Sequence, residues 1–388
     1  MKKKLMITVL LVSAMLATAC GNQQTSAEAT TQSAETTVQE TEKAAEGPDT
    51  ADDLLVIREQ GYFTAGGTVR TNEGEFHPGD AYSSRDGQTV HGDHASVFYQ
   101  VPENAKQNPM VFLHGITQSG KCWSTTADGR DGFADIFFKD GYPVYLVDQP
   151  RRGQAGQSTE DGVVPSDSAD QMYFEQFRIG QWPEFYDGVQ FPRDEESIDQ
   201  FFRQMTPDVG NCNIDAVIDA LVATFEKTGP GIFVTHSAGG AFGWPVAIKS
   251  DNVTGIIALE PGTFVFPEGE VPEPIDNVYS EISGIQTYPI VVSQEEFEKL
   301  TRMPIIIYYG DYIPDEPCEN PGQDYWRSSR DYALLFAEAV NRHGGDAAVI
   351  ELPKEGIYGN THFIMSDLNN VEIADHISAW LKEKGLDQ

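Results

Sequence analysis

Short runs of almost unbroken apolar residues recur along this chain: Met110–Leu113, Val144–Val147, Ile232–Thr235, Val253–Leu259, Ile305–Tyr309 and Ala347–Leu352. A strand that is apolar at every position, not at alternate ones, is covered on both faces, as in a parallel sheet. Between these runs, Gly132–Phe138, Ile214–Phe225, a small-residue stretch from Gly239, Tyr325–Val340 and Val371–Lys384 read as helices. Strands and helices alternating in this order predict an α/β domain with a mostly parallel central sheet and helices on both faces. Upstream, Leu54–Ile57 and Ser96–Val101 read as β-strands separated by Gly-rich turns. There is no internal repeat.

Two segments break the alternation. Residues 149–207 carry Phe174, Phe177, Trp182, Phe185, Tyr186 and Phe191 among polar residues with no clear period, and 262–303 is rich in Pro and Glu. Connections of that length in a compact domain are usually functional, so 149–207 is expected to be a lid inserted in the domain. The bland alternative is that its aromatics only pad the domain edge.

The first fifty residues follow different rules. Lys2-Lys3-Lys4 precede an apolar run, Leu5–Ala19, that is short for a bilayer span and has the layout of a signal peptide. The run leads through Leu16-Ala17-Thr18-Ala19 into Cys20, an arrangement that resembles the lipobox of bacterial lipoproteins. The expectation is a lipid on Cys20, which anchors the chain on the extracytoplasmic side of a bacterial membrane. Residues 21–50 are Gln, Thr, Ser, Ala and Glu with Val38 as the one sizeable apolar side chain. Such a composition cannot bury enough surface to offset chain entropy, and predicts a disordered stalk. The globular domain is then residues 51–388.

Charge narrows the partners more than the chemistry. The formal net charge is −34, and it stays at −32 when the 4 Lys and 6 acids of residues 1–50 are set aside. A field of that sign repels nucleic acid and anionic lipid surfaces. Cys122, Cys212 and Cys318 remain in the domain, an odd number that leaves one disulfide open without choosing its pair.

The chemistry gathers at the ends of the predicted strands. Thr235-His236-Ser237-Ala238-Gly239 follows an apolar strand and opens a small-residue helix, the context of a nucleophile elbow with Thr235 in place of the usual first Gly. A serine hydroxyl needs a base, because it is un-ionised at neutral pH. His362, after the last strand and before the final helix, has the right position. His343 and His376 lie on predicted helices and read as solvated; His236 should point away from its neighbour Ser237. His91 and His94, in an N-terminal loop, are too few for a metal site, and the side chain of His114 reads as packing.

Two carboxylates compete to orient His362. Glu260 and Asp311 both end strands at the same edge of the sheet, where open α/β sheets place their sites. Position alone favours Asp311. The oxyanion left by attack on a carbonyl needs two backbone N–H donors, and the candidates are those of Ala238 and Ile116, the latter in the loop His114-Gly115-Ile116-Thr117.

Taken together, several motifs resemble the α/β-hydrolase superfamily, and within it a branch of bacterial secreted esterases. They are Val90-His91-Gly92-Asp93-His94-Ala95, Tyr99-Gln100-Val101-Pro102, His114-Gly115, Ala127-Asp128-Gly129-Arg130-Asp131-Gly132-Phe133, and Val147-Asp148-Gln149-Pro150-Arg151-Arg152-Gly153. Further on come His236-Ser237-Ala238-Gly239-Gly240, Glu260-Pro261-Gly262, and Gly356-Ile357-Tyr358-Gly359-Asn360-Thr361-His362. The resemblance covers nearly all of 55–385. It implies that the acid is the Glu after the sixth strand of that fold, hence Glu260, and leaves Asp311 to cap the segment that follows it. Where members of the branch have a vicinal cysteine pair after His-Gly, this chain has Ile116-Thr117, and Cys122 does not substitute for it.

The resulting expectation is a carboxylic ester hydrolase in which Ser237 attacks, His362 takes the proton and Glu260 orients it, on a small-molecule ester and without metal or organic cofactor. An amidase or lactonase would use the same parts. A surface lipoprotein that keeps the fold only for binding is the rival from another class.

Overall fold

The computed structural model describes residues 54–164, 166, 169–284 and 289–388; Cys20 and the predicted stalk lie outside them. A compact unit spans Ile57–Gln388. Along the chain it begins with β1 (Ile57–Thr71), β2 (Thr89–Pro102), β3 (Met110–Leu113), α1 (Phe133–Lys139) and β4 (Val144–Asp148). The segment predicted as a lid holds α2 (Asp170–Gln176), a small hairpin of β5 (Gly180–Gln181) and β6 (Glu184–Phe185), and α3 (Glu195–Arg203). Then come α4 (Ile214–Thr228), β7 (Gly231–His236), α5 (Ala238–Lys249) and β8 (Val253–Leu259). The Pro- and Glu-rich segment forms β9 (Val265–Pro267), α6 (Val278–Ser283), β10 (Ile290–Val292) and α7 (Gln294–Glu298); β9 and β10 pair in parallel. The chain closes with β11 (Pro304–Tyr309), α8 (Pro321–Arg342), β12 (Asp346–Glu351) and α9 (Asn370–Glu383).

Eight strands form one sheet in the order β1-β2-β4-β3-β7-β8-β11-β12. The two pairings that involve β2 are antiparallel and the rest are parallel, as the unbroken apolar runs predict. Each buried strand divides its side chains between two cores, because successive residues point to opposite faces. Val111, Phe233, Ile256 and Ile305 join α4, α5 and α8 on one side. Phe112, Val234, Ile257 and Ile306 join α1 and α9 on the other. Helix starts carry their own signals: the side chains of Asn213 and Asn320 accept from the backbone N–H of Ala216 and Gln323, capping α4 and α8.

Two expectations need correction. The first strand starts where it was predicted to end: Leu54–Val56 are exposed and outside any strand, and β1 runs on to Thr71. Its alternation is faint because it is an edge strand, with Ala65 its one fully buried residue, and pairing with β2 sets its extent. His91 and His94 are on β2, not in a loop. Within 149–207, Phe174, Phe177, Phe191 and Phe201 are buried in the same core as α1 and α9, while Trp182 at the hairpin stays half exposed.

Cys122, Cys212 and Cys318 are unpaired. Among the described residues, no helix is long and apolar enough to cross a membrane.

Candidate active site

Ser237 sits between the last residue of β7 and the first of α5, at φ 52° and ψ −122°. That backbone is strained for any residue with a side chain, and such strain persists only where the surroundings enforce it. Here they do. Ser237 N–H donates to the carbonyl of Leu259 at 2.9 Å, extending the β7–β8 ladder by one rung before the chain turns. The turn is packed too tightly for side chains beside it: a Cβ on Gly239 would lie 2.6 Å from the His114 oxygen, and one on Gly240 2.5 Å from the Pro261 Cβ. Ala238 N–H, at the first position of α5, has no carbonyl one turn back to bond and points out of the helix end.

The loop after β3 lies directly against this turn. A Cβ on Gly115 would come within 2.8 Å of both the Ser237 Cβ and the His236 Nδ1. The Gly115 carbonyl accepts from Arg152 Nη1 at 2.8 Å and lies 2.9 Å from His114 Nδ1. Arg152 is held in turn by a two-armed pair with Asp208, at 2.8 and 2.6 Å. In a trans peptide the carbonyl and the next N–H point in opposite directions, so the grip on the Gly115 oxygen also fixes the N–H of Ile116. His114 is kept neutral: burial, then the nearby Arg152 charge, bring its pKa down to about 3.

His362 and Glu260 meet on the far side. His362 Nδ1 is 2.6 Å from Glu260 Oε2, and neither side chain has any exposure. Glu260 ends β8 on its own positive-φ turn (48°), its N–H bonded to the Tyr308 carbonyl at 2.9 Å. Its other oxygen, Oε1, accepts from the N–H of Gly310 at 2.7 Å and from Arg178, which is fully buried. The imidazole is enclosed by rings. Phe177 stacks on it at 5.1 Å and Trp326 lies 4.1 Å away. His362 Nε2 is buried and has no hydrogen-bond partner among the described residues.

The electrostatics follow from burial and from one cation. Burial disfavours the Glu260 charge, but the Arg178 charge and the His362 contact outweigh it and bring the pKa to about 2. His362 is pushed below the ordinary histidine value, first by burial, with Arg178 adding to it against the pull of Glu260. A neutral imidazole bonded through Nδ1 to an ionised carboxylate can take up a proton at Nε2 and be stabilised once it has.

The backbone of the His362 loop is pinned from several sides. Its His362 N–H donates to the Phe177 carbonyl at 3.0 Å, and its carbonyl lies 2.9 Å from His236 Nε2. Asp367 accepts from the N–H and hydroxyl of Thr361 at 2.7 and 2.8 Å. Arg130 reaches the Ser366 and Asp367 carbonyls and the Asn370 side chain at 2.8–3.1 Å. Asp311 does not touch His362. Its carboxylate accepts from Tyr312 N–H, the capping expected of it, and also from Gly359 N–H, at 2.7 and 2.8 Å.

Ser237, Ala238, Ile116, Glu260 and His362 therefore come to the C-terminal edge of the sheet from four separate stretches of chain, three of them strand ends. Ser237 and His362 are linked through His236, whose ring centroid is 4.6 Å from that of His362. His236, expected to diverge from Ser237, packs its ring against His362. His376 bonds the Tyr308 hydroxyl and His343 bonds Glu270, both at 2.9 Å, so neither is simply solvated. Sequence reasoning missed Arg178, Phe177 as a contact of His362, and Trp326. An arginine inside an aromatic-rich segment was the one visible hint.

A family model described as the alpha/beta hydrolase family matches residues 110–383 of this chain. Over 318 residues the chain is 27% identical to a probable secreted lipase, phiG, of a fungal species; the match covers 73% of this chain and 84% of the relative. Among solved structures it is similar to one described as a novel bacterial esterase at atomic resolution. The identity is 27%, the TM-score 0.68, and the coverage 87% of this chain and 99% of that one.

Proposed function

The chain belongs to the alpha/beta hydrolase family, and on that premise we propose that it is a serine esterase that cleaves carboxylic esters through an acyl-enzyme on Ser237. The observation that carries this reading is the buried Glu260–His362 pair with Nε2 of the imidazole left unpartnered, beside a serine on a strained strand-to-helix turn. The esterase and lipase names of the two relatives fit it.

In this reading His362 Nε2 takes the Ser237 proton as Oγ attacks the ester carbonyl. Charge moves to the carbonyl oxygen, which receives hydrogen bonds from the N–H groups of Ile116 and Ala238. The imidazolium returns its proton to the departing alkoxide, leaving an acyl-serine and an alcohol. Water then repeats the sequence: His362 removes its proton, the hydroxide oxygen joins the acyl carbon, and the carboxylic acid leaves as Ser237 recovers its proton. Glu260 holds Nδ1–H throughout and stabilises the imidazolium. A Ser237–His362 hydrogen bond is absent in the resting geometry, and such contacts commonly tighten only once substrate is bound. Residues 149–207 serve as the lid and, through Phe177, as the wall of the site behind the base.

The test is labelling with a fluorophosphonate probe, mapping of the labelled peptide, and an ester panel of graded chain length. Label on the Ser237 peptide and turnover of at least one ester are expected. Absence of both, in folded protein, would leave the binding-lipoprotein alternative standing. We place the protein outside the cytoplasm, tethered through a lipid on Cys20 and the stalk of residues 21–50. Cys20→Ser should then lose detergent-phase partitioning and the lipid's added mass; an unchanged variant would refute the anchor.

A further inference from the structure

Three consecutive residues of the segment inserted between β4 and α4 bear on the acid–base pair, the first of them through Trp326. The Gln176 carbonyl accepts from Trp326 Nε1 at 2.7 Å, fixing one ring that encloses His362. Phe177 supplies the other ring and also the carbonyl that receives the His362 N–H. Arg178 donates through Nη2 to Glu260 Oε1 and through Nε to the Asp311 carbonyl at 2.8 Å, with its guanidinium 5.6 Å from the Trp326 ring centre. Arg178 holds a positive φ of 59°, and its own N–H is bonded to the Glu175 carbonyl at 3.0 Å, so its backbone is set by the end of α2.

A guanidinium without any exposure is costly to desolvate and is kept only where a charge answers it. Here the answering charge is a carboxylate that already serves a histidine. With both oxygens engaged, Glu260 cannot rotate, and a fixed positive charge stands one carboxylate away from the imidazole. Resting on the serine esterase reading above, we infer that Arg178 is a positioning residue, contributed by the insertion, that locks Glu260 and keeps the His362–Glu260 pair free of an extra proton in more acidic solution than the pair alone would allow. The insertion is in this way part of the acid–base machinery and not only its cover.

The cation acts on both members in one direction. It opposes a proton on His362 by repulsion, and it opposes a proton on buried Glu260 by attraction for the carboxylate. The other ionisable groups around the pair do not replace it. His236, against the imidazole face, is held neutral by burial and by its neighbour His362. Tyr309 is kept protonated by burial and by the Glu260 charge. Asp367, beneath the loop, is an acid whose pKa burial raises, so it supplies no positive charge, and the Asp311 carboxylate is turned to the Tyr312 and Gly359 N–H groups.

The experiment is the pH profile of kcat/KM with p-nitrophenyl acetate for the parent, Arg178→Lys and Arg178→Met, with fluorophosphonate labelling and thermal midpoints measured alongside. Loss of the cation in Arg178→Met should move the acid limb up by about one pH unit or more, the scale of a neighbouring-charge effect. Arg178→Lys keeps the charge but loses the two-armed grip. Its acid limb should stay near the parent's while kcat falls. Labelling of Ser237 above pH 8 should survive in both variants. A folded Arg178→Met variant with the parent's acid limb would overturn the inference. If that variant does not fold, an Arg178→Lys limb displaced by a full unit would overturn it instead. A parent that never labels at Ser237 would defeat the esterase reading itself, which is a separate outcome.

Discussion

Ser237 is delivered by five consecutive residues, Thr235 to Gly239, whose strand, strained turn and helix are all adjacent in the chain. His362 is delivered by contacts from everywhere else: Glu260 after β8, Phe177 and Arg178 from the insertion, Trp326 from α8, and His236 from the elbow itself. The first region is specified by local backbone geometry and small side chains. The second is specified by long-range packing around charges that water cannot reach. A nucleophile needs a defined direction, which a tight turn supplies. A proton acceptor needs a tuned environment, which only enclosure supplies.

That difference predicts how each region fails. The largest effect on turnover is expected from Ser237→Ala, which removes the proposed attacking atom but no buried partner. Ester turnover should fall by roughly 10⁵–10⁶-fold, as for loss of a nucleophile that works as one unit with its base, while the thermal midpoint shifts by no more than a few degrees. A large loss of stability would mean that the elbow is not the self-contained element described above.

Glu260→Gln comes next and should damage both properties. The loss in kcat is expected to be roughly 10⁴-fold, the size seen when a triad acid is replaced by its amide. Stability should fall by about 3–5 kcal/mol as well, because the Arg178 charge stays buried without its partner. Asp311→Asn weakens two backbone contacts, those to Tyr312 and Gly359, and should lower the thermal midpoint while most of kcat remains. Kinetics and melting curves on the two variants decide the matter. The reverse pattern would move the acid to Asp311.

Arg152→Gln probes the border of the two regions. The Gly115 carbonyl would lose its charged donor and the Ile116 N–H its fixed direction, so kcat should fall by about 10–100-fold, less than deletion of an oxyanion donor outright. KM for a short ester should change little. A KM effect with unchanged kcat would place Arg152 in substrate binding instead.

The smallest expected effect concerns Asp367, under the His362 loop. Burial raises its pKa to about 7, partly offset by the Thr361 and Asn360 donors. A folded-state value above the ordinary carboxylate value of about 4 means that the folded chain holds a proton which the unfolded chain has released. Stability is therefore lost as pH rises from about 4 through about 7. Glu260, with its lowered value, works in the opposite sense and loses its contribution only as pH falls below about 4 toward 2. Asp367→Asn should remove this one falling contribution, so the parent's thermal midpoint should drop relative to the variant's as pH rises from 5 to 8. A constant difference between parent and variant across that range would show that Asp367 does not titrate there.

Much of this was legible in the residues themselves. Unbroken apolar runs announced a parallel sheet with two covered faces, because a strand that must satisfy two cores has no polar side to spare. His236-Ser237-Ala238-Gly239-Gly240 after such a run announced the elbow, since few other residues fit so tight a turn. Three arginines of the recognised motifs, Arg130, Arg151 and Arg152, were visible as letters, but their work was not. Arg151 pairs with Asp93 at 2.7 Å, Arg152 holds the Gly115 carbonyl, and Arg130 ties down the chain after His362. The choice between Glu260 and Asp311 could not come from position along the chain, because both end strands at the same edge and only resemblance separated them. In space, Glu260 meets Nδ1 of His362 while Asp311 turns to backbone N–H groups. Arg178 left the faintest trace of all. Periodicity records which face of an element is buried; it holds no record of which distant charge a buried charge must find, and that pairing was decided by the tertiary structure alone.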